Sequence, residues 1–309
     1  MSTKAARRSI ADLLGVTATD RDITWLKQAL QWAIELELST IGPYLLVRWS
    51  IETDAGGAKA RLQAIAKDEM NHMGWVANML VGIGGRPDME LAPTYPGPMP
   101  GGVHPGVTVT LGGLTESQLR LFMKIEEPET PLPQRSELET FATIGVFYDA
   151  ILSTFQRLQP PLSTAAQVPK AGLISTLADV EEKITRIKDE GEGTTGSPSI
   201  GTKLAHHYQF GEILHQKKFV KTETGWDYVG EAVPFPGSVY TLTGVASDAD
   251  SKSFNDKFTI LMRKFHEAWT TNPAAFDQAV TAMWSLEGLA RPLLANGTWP
   301  SFKFLPETR

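Results

Sequence analysis

Apolar side chains in this chain recur mainly three and four residues apart, the spacing of one face of a helix. From Asp22 to Ser50, the residues Leu30, Ala33, Ile34, Glu37, Thr40, Ile41 and Tyr44 share one stripe, with Asp20 or Asp22 placed to cap its start. Two glutamates in this run are separated by periodicity. Glu37 travels with Ala33, Ile34, Ile41 and Tyr44, whereas Glu35 groups with Gln28, Gln31 and Ser39 on a face that reads as solvent-exposed. Pro43 cannot donate to the Ser39 carbonyl, so a kink is expected close to Glu37. A second helix runs from Ala58 to Ile83 and stops at Gly84-Gly85-Arg86-Pro87. Its stripe is Leu62, Ile65, Ala66, Glu69, His72, Met73 and Val76, with Asp68 and Asn71 beside it as supporting partners.

The pattern then weakens. Residues 87–113 are rich in proline and glycine and hold one short alternating run, Val107 to Leu111; so long a loop between bundle helices is often functional. A short helix is expected over Leu114–Ile125, ended by Glu126-Glu127-Pro128. Further helices are expected over Ser136–Phe155, Lys170–Glu190 and Thr202–Lys218. Leu173, Leu177, Val180, Ile184 and Ile187 form the stripe of the second of these. After a loop-like stretch at residues 225–244 come two more helices, Ser253–Trp269 and Ala274–Leu294. Strand content reads as small. The fold class is therefore all-α: a four-helix bundle with long loops and additional C-terminal helices. Residues 1–21 read as a flexible lead-in, 22–224 as the bundle, and 225–309 as a helical extension packed on it.

Composition narrows the chemistry. With 309 residues, a net charge of −6 and 42% hydrophobic content, the chain reads as a globular protein with no electrostatic case for nucleic acid or an anionic membrane. No stretch has the length of a membrane span, and the basic first residues lack a secretion signature, so a cytoplasmic protein is expected. Zero cysteines exclude disulfides, thiolate metal sites and a cysteine nucleophile. Any transition metal would have to use histidine and carboxylate, a donor set suited to iron, manganese or zinc.

Glu69-Met70-Asn71-His72 places a carboxylate and an imidazole on one helix face, and Glu37 adds a carboxylate from the neighbouring stripe. Three polar groups directed into one core need mutual satisfaction or an ion. The alternative is a helix-surface pair, since E-x-x-H alone is common. The rest of the site stays open at this level. Glu212 and His215 repeat the spacing but on a polar face; His206 shares a face with Phe210 and Ile213. Glu190 and Glu192 end the fourth helix, and Glu126 precedes a proline. The third bundle helix offers Gly145 and Tyr148 inward where a symmetric di-metal bundle would place a glutamate. No phosphate-binding loop, nucleophile elbow or dinucleotide fingerprint is present.

Several motifs, in order, carry a resemblance. Leu36 to Leu45, Glu69-Met70-Asn71-His72-Met73 followed by Asn78-Met79-Leu80, Pro93-Thr94-Tyr95-Pro96, Ile125-Glu126, Thr143-Ile144-Gly145, Glu190-Gly191-Glu192-Gly193 and His206 with Phe210 and Glu212 resemble the ferritin-like domain family typified by bacterial iminophenyl-pyruvate dimer synthases. That resemblance implies a non-haem metal centre, iron first with manganese or zinc as alternatives. Its ligands would be Glu37, Glu69, His72 and His206, with Glu126, Glu190 and Glu192 behind them, and His206 in preference to the Glu212/His215 pair.

The expected function is a metal-dependent oxidoreductase or oxidative coupling enzyme of specialised metabolism acting on a small amino-acid-derived substrate. Tyr44 or Tyr148 would serve as proton or hydrogen-bond partner, and residues 92–104 would act as a lid. The alternative is a non-catalytic metal-binding or partner-binding ferritin-like scaffold. Partners are expected to be a small-molecule substrate, neither nucleic acid nor membrane, with a homo-oligomer left open.

Overall fold

The computed structural model describes residues 7–128, 143–191, 193 and 197–305. In chain order its helices are α1 (Ile10–Leu14), α2 (Ile23–Trp49), α3 (Ala58–Gly82), α4 (Glu116–Ile125), α5 (Ile144–Leu158), α6 (Leu177–Gly191), α7 (His206–His215), α8 (Lys252–Thr270) and α9 (Ala275–Ala295). The expectation of an all-α bundle with few strands holds. The strands are two- and three-residue pairs, such as Gly97–Pro98 against Thr108–Val109 and Ile51–Thr53 against Ser238–Val239.

Local chemistry sets most helix starts. Asp22 caps α2 by accepting from Trp25 N at 2.8 Å. Asp54 accepts from Gly56, Ala58 and Lys59 N ahead of α3, while Thr115 and Thr143 cap α4 and α5. Each cap satisfies N–H groups that the first helical turn leaves without partners.

The α2–α3 pair is the spine. α5 packs on α2, α6 on α3, and α5 on α6, which closes a four-helix bundle. α4 and α7 pack together at one side, α7 also meeting α3 and α6; the α8–α9 pair lies against α3 and α2. Asn78 on α3 stitches these layers together. Its amide donates to the Val168 and Gly172 carbonyls, and its oxygen accepts from Val168 N and Trp269 Nε1.

Burial of α2 on several sides corrects one expectation. Glu35 is not on a solvent face: Gln31 donates to it at 3.0 Å and Arg7 pairs with it. A stripe pattern assumes one wet side, and a helix covered on two sides has none to offer. The lead-in is corrected likewise. Ser9 and Asp12 form a capping box, and Ile10 and Leu13 are fully buried, so α1 docks onto α2 and the loop near Pro100.

Three helix boundaries move. The fourth bundle helix starts at Leu177 instead of Lys170, because Pro169–Ala171 makes a single tight turn and Gly172 adopts φ 85°; Leu173 is exposed. The helix expected from Thr202 starts at His206, since Ser199–Ile200 pairs with Lys203–Leu204 as a hairpin. Thr143 caps α5, and the part of that expectation before residue 143 lies outside the described residues.

The kink expected at Pro43 is absorbed within a continuous α2. Tyr95 Oη donates to the Ser39 carbonyl at 2.9 Å, supplying the donor that Pro43 lacks. The loop carrying Tyr95 packs on the face of α2 that holds Glu35 and Ser39. It is therefore not a lid over Glu37, which faces the bundle interior.

Candidate metal centre

Buried acid and imidazole groups from several helices converge between α2, α3, α4 and α7. Glu37, Glu69 and His72 each offer a ligand atom within 4.8 Å of the others, and so do Glu69, Glu126 and His206. Glu69 belongs to both sets. All five side chains are buried.

The two histidines are held in the same manner. His72 Nε2 donates to Glu190 Oε2 at 2.8 Å, leaving Nδ1 at 3.4 Å from Glu37 and 3.8 Å from Glu69. His206 Nε2 donates to Asp68 Oδ2 at 3.1 Å. His206 Nδ1 lies 2.9 Å from Glu69 Oε1 and 3.9 Å from Glu126 Oε2, yet it lacks hydrogen-bond alignment to either and is left unsatisfied. A carboxylate behind the outer nitrogen of an imidazole is how proteins orient a histidine toward a metal. Lys203, from the hairpin before α7, contacts both outer carboxylates, Asp68 directly and Glu190 at 3.6 Å.

The remaining oxygens are also engaged. Thr40 Oγ1 donates to Glu69 Oε2 at 2.9 Å, Tyr44 Oη to Glu126 Oε1 at 2.6 Å, and Tyr148 Oη to Glu37. A cavity of about 30 Å³ opens among Glu37, Glu69, Glu126 and His72, walled by Ile125, Ile144, Ile187 and Lys188. It has room for a water-sized ligand. Gly191 closes its rim; a Cβ there would come to 3.1 Å from Glu126 Oε2.

Crowding like charges in a dry site shifts their titration. Burial, and then the neighbouring Glu69, push Glu126 up to about 8. Burial and Glu69 also raise Glu37. Burial works against the charged form of Glu69, but His206 and His72 outweigh it and hold the carboxyl below its ordinary value. Burial likewise opposes charge on His206, and the Asp68 and Glu69 carboxylates overcome it to set a value of about 9. His72 is raised in the same way by Glu190 and Glu37.

The sequence-expected residues sort as follows. Glu37, Glu69, His72, Glu126 and His206 come together, and Tyr44 and Tyr148 stand against two of these carboxylates. Glu190 stands outside both donor groups: its oxygens contact His72, Arg186 and Lys203, on the far side of the His72 imidazole from Glu37. Glu192 lies outside the described residues. The Glu212/His215 pair is elsewhere. Glu212 is buried with Arg61 and Lys218, while His215 stacks on Tyr228 at 4.4 Å. Sequence reasoning missed Lys203, which carries no periodic signal, and the support given by Thr40, whose place on the Glu37 stripe was a signal.

The donor set fits a pair of ions. Three buried carboxylates and two imidazoles without sulfur suit iron, manganese or zinc. Nδ1 of His206, which has no aligned hydrogen-bond partner, faces Glu69 and Glu126 and becomes a ligand atom once its proton is displaced. α5 supplies Tyr148 and no glutamate. Beyond the shared Glu69, the second set is therefore drawn from the end of α4 and the start of α7. Among the described residues, no helix is long and apolar enough to cross a membrane.

A model of the ferritin-like family matches residues 30–215. The crystal structure of a ferritin-like protein from Caulobacter vibrioides aligns with a TM-score of 0.67 at 20% identity, covering 92% of this chain and 99% of that one. That likeness speaks for the fold. No curated protein matches the chain.

Proposed function

This chain belongs to the ferritin-like family, and from that premise we propose that it is an oxidoreductase with a two-metal centre held by Glu37, Glu69, His72, Glu126 and His206. The observation that carries this reading is the sharing of buried Glu69 by two donor sets, each with a histidine anchored from behind by an acid. Iron is the metal preferred, with manganese or zinc as alternatives. Bound there, it would supply redox chemistry toward dioxygen.

The chain's own residues have definable tasks. Glu190 and Asp68 orient the two imidazoles, and Thr40 fixes the second oxygen of Glu69. Tyr44 and Tyr148 hold the outer oxygens of Glu126 and Glu37 and can pass a proton to them. Ile125, Ile144 and Ile187 place apolar surface around the cavity, which lowers the local dielectric and strengthens electrostatic interactions inside it.

The resemblance to dimer synthases supports the finer proposal that the molecule oxidised is small and amino-acid-derived, as in specialised metabolism. It would approach past Ile144 and Lys188, which border the cavity. Metal analysis of the purified protein tests the reading. Two equivalents of iron are expected, lost in Glu69→Ala, reduced in His206→Ala and unchanged in His215→Ala. Protein that binds none of iron, manganese or zinc, or a Glu69→Ala variant that binds as much as the natural chain, removes the two-metal reading, and protein that binds zinc alone removes the redox part of it.

A further inference from the structure

We propose that the pocket between α2 and the proline-rich loop binds a small organic cation with an apolar body, and that Arg7 fills its cation position in the free protein. Glu35 and Glu37 are two residues apart on α2, about 200° around the helix, so this pocket lies on the face opposite the metal centre.

Its chemistry comes from two neighbours on α2. Glu35 has a side chain only 11% exposed, and Gln31 donates to its Oε1 at 3.0 Å. Gln31 is itself fixed by Asp88, accepting from its N–H at 2.8 Å and donating to its carbonyl at 3.0 Å. A carboxylate this buried calls for a cation. Beside it lies the Trp32 indole, held in place by donation from Nε1 to the Arg8 carbonyl at 2.7 Å. The Arg7 guanidinium occupies both features, pairing with Glu35 and lying 3.5 Å above the indole centroid. An aromatic face next to a carboxylate is a recognition element for guanidinium or ammonium groups.

The plainer reading is an ion pair that pins the N-terminal segment. Two observations favour a binding site. A cavity of about 540 Å³ opens beside the pair, walled by Pro93, Tyr95, Met99 and Pro100. That volume is in the range of small-molecule sites, and apolar walls with few polar groups are their usual lining. Second, Arg7 can leave without unfolding its neighbours. α1 is held by its own capping box and by buried Ile10 and Leu13, none of which involves Arg7. A ligand that displaces Arg7 keeps Glu35 paired and covers the Pro/Met wall with its apolar body.

Titration calorimetry with benzamidine, a cation on an aromatic ring, tests the proposal, with benzyl alcohol as the neutral comparison. An intramolecular occupant lowers apparent affinity by the fraction of molecules in which the site is open. Arg7→Ala is therefore expected to bind benzamidine at least tenfold more tightly than the natural chain and to ignore benzyl alcohol. Adding Glu35→Gln or Trp32→Leu to Arg7→Ala should weaken binding at least tenfold. If one of the double variants does not fold, the other and the cation-against-neutral comparison on Arg7→Ala still decide. Affinity unchanged by Arg7→Ala, equal binding of benzyl alcohol, or indifference to both second substitutions would overturn the proposal. None of these residues touches the metal centre, so metal content should stay at the natural level in every folded variant.

Discussion

Asp68 Oδ2 accepts from His206 Nε2 at 3.1 Å, although Asp68 sits midway along α3 and His206 opens α7. This contact fixes which imidazole nitrogen is free to meet Glu69 and Glu126. Removing a carboxylate that orients a histidine ligand typically weakens metal binding about 10- to 100-fold. Asp68→Asn is expected to weaken the ion near Glu126 and His206 by that factor while the ion near Glu37 and His72 holds. Stepwise metal titration would show one affinity falling; equal loss at both positions would argue against two separable donor sets.

Glu69 and Glu190 make opposite predictions despite similar burial. Glu69 is shared by both sets, so Glu69→Gln should abolish binding of both ions. Glu190 stands behind His72, so Glu190→Gln should lower affinity only about 10- to 100-fold, at one position. Metal content after dialysis separates the two, and a Glu190→Gln protein devoid of metal would return Glu190 to the ligand set.

Loading should release protons. Without metal, Glu126 titrates near 8 and His206 near 9, so at pH 7 both carry protons that an ion must displace. Affinity should therefore climb as pH rises toward 9. The metal-free protein should respond in the opposite sense. Each group binds its proton more tightly folded than unfolded, against ordinary values of 4.5 and 6.5. Their stabilising contributions are thus complete below those values and lost as pH passes 8 and then 9. An indicator dye reads the proton release, and thermal midpoints between pH 6 and 9 read the stability; metal addition at pH 7 without acidification would contradict both shifts.

Tyr95 and Ser39 test the repair of the proline site. Tyr95→Phe removes the donor to the Ser39 carbonyl and should cost about 1–3 kcal/mol, the usual range for a buried group left without a partner. In a Pro43→Ala background, α2 can supply its own N–H and the loss should shrink. Urea unfolding of the four proteins measures this coupling; equal losses in both backgrounds would show that Tyr95 acts through packing alone.

Asn78→Leu should cost about 3 kcal/mol or more. It strands the Val168 N–H and carbonyl, the Gly172 carbonyl and the Trp269 indole together. Thermal unfolding is the measurement, and a change under about 1 kcal/mol would mean that water replaces these bonds.

The sequence by itself determined the helical pattern, the α2 and α3 stripes, and with them Glu37, Glu69 and His72. Each of these is fixed within one helix, where 3.6-residue periodicity decides which side chains share a face. Even the absence of a glutamate on the inward side of α5 was legible, at Gly145 and Tyr148. Other outcomes depended on neighbours distant in the chain. Glu35 is buried because α1 and the proline-rich loop cover a face that periodicity assigns to water. Glu190 meets the outer nitrogen of His72 while Glu126 joins Glu69 and His206, because the ends of α4 and α6 and the start of α7 come together there. Lys203 reaches Asp68 and Glu190 only through a hairpin turn. Helix termini and loops are placed by packing, and no repeat in the sequence encodes where they meet.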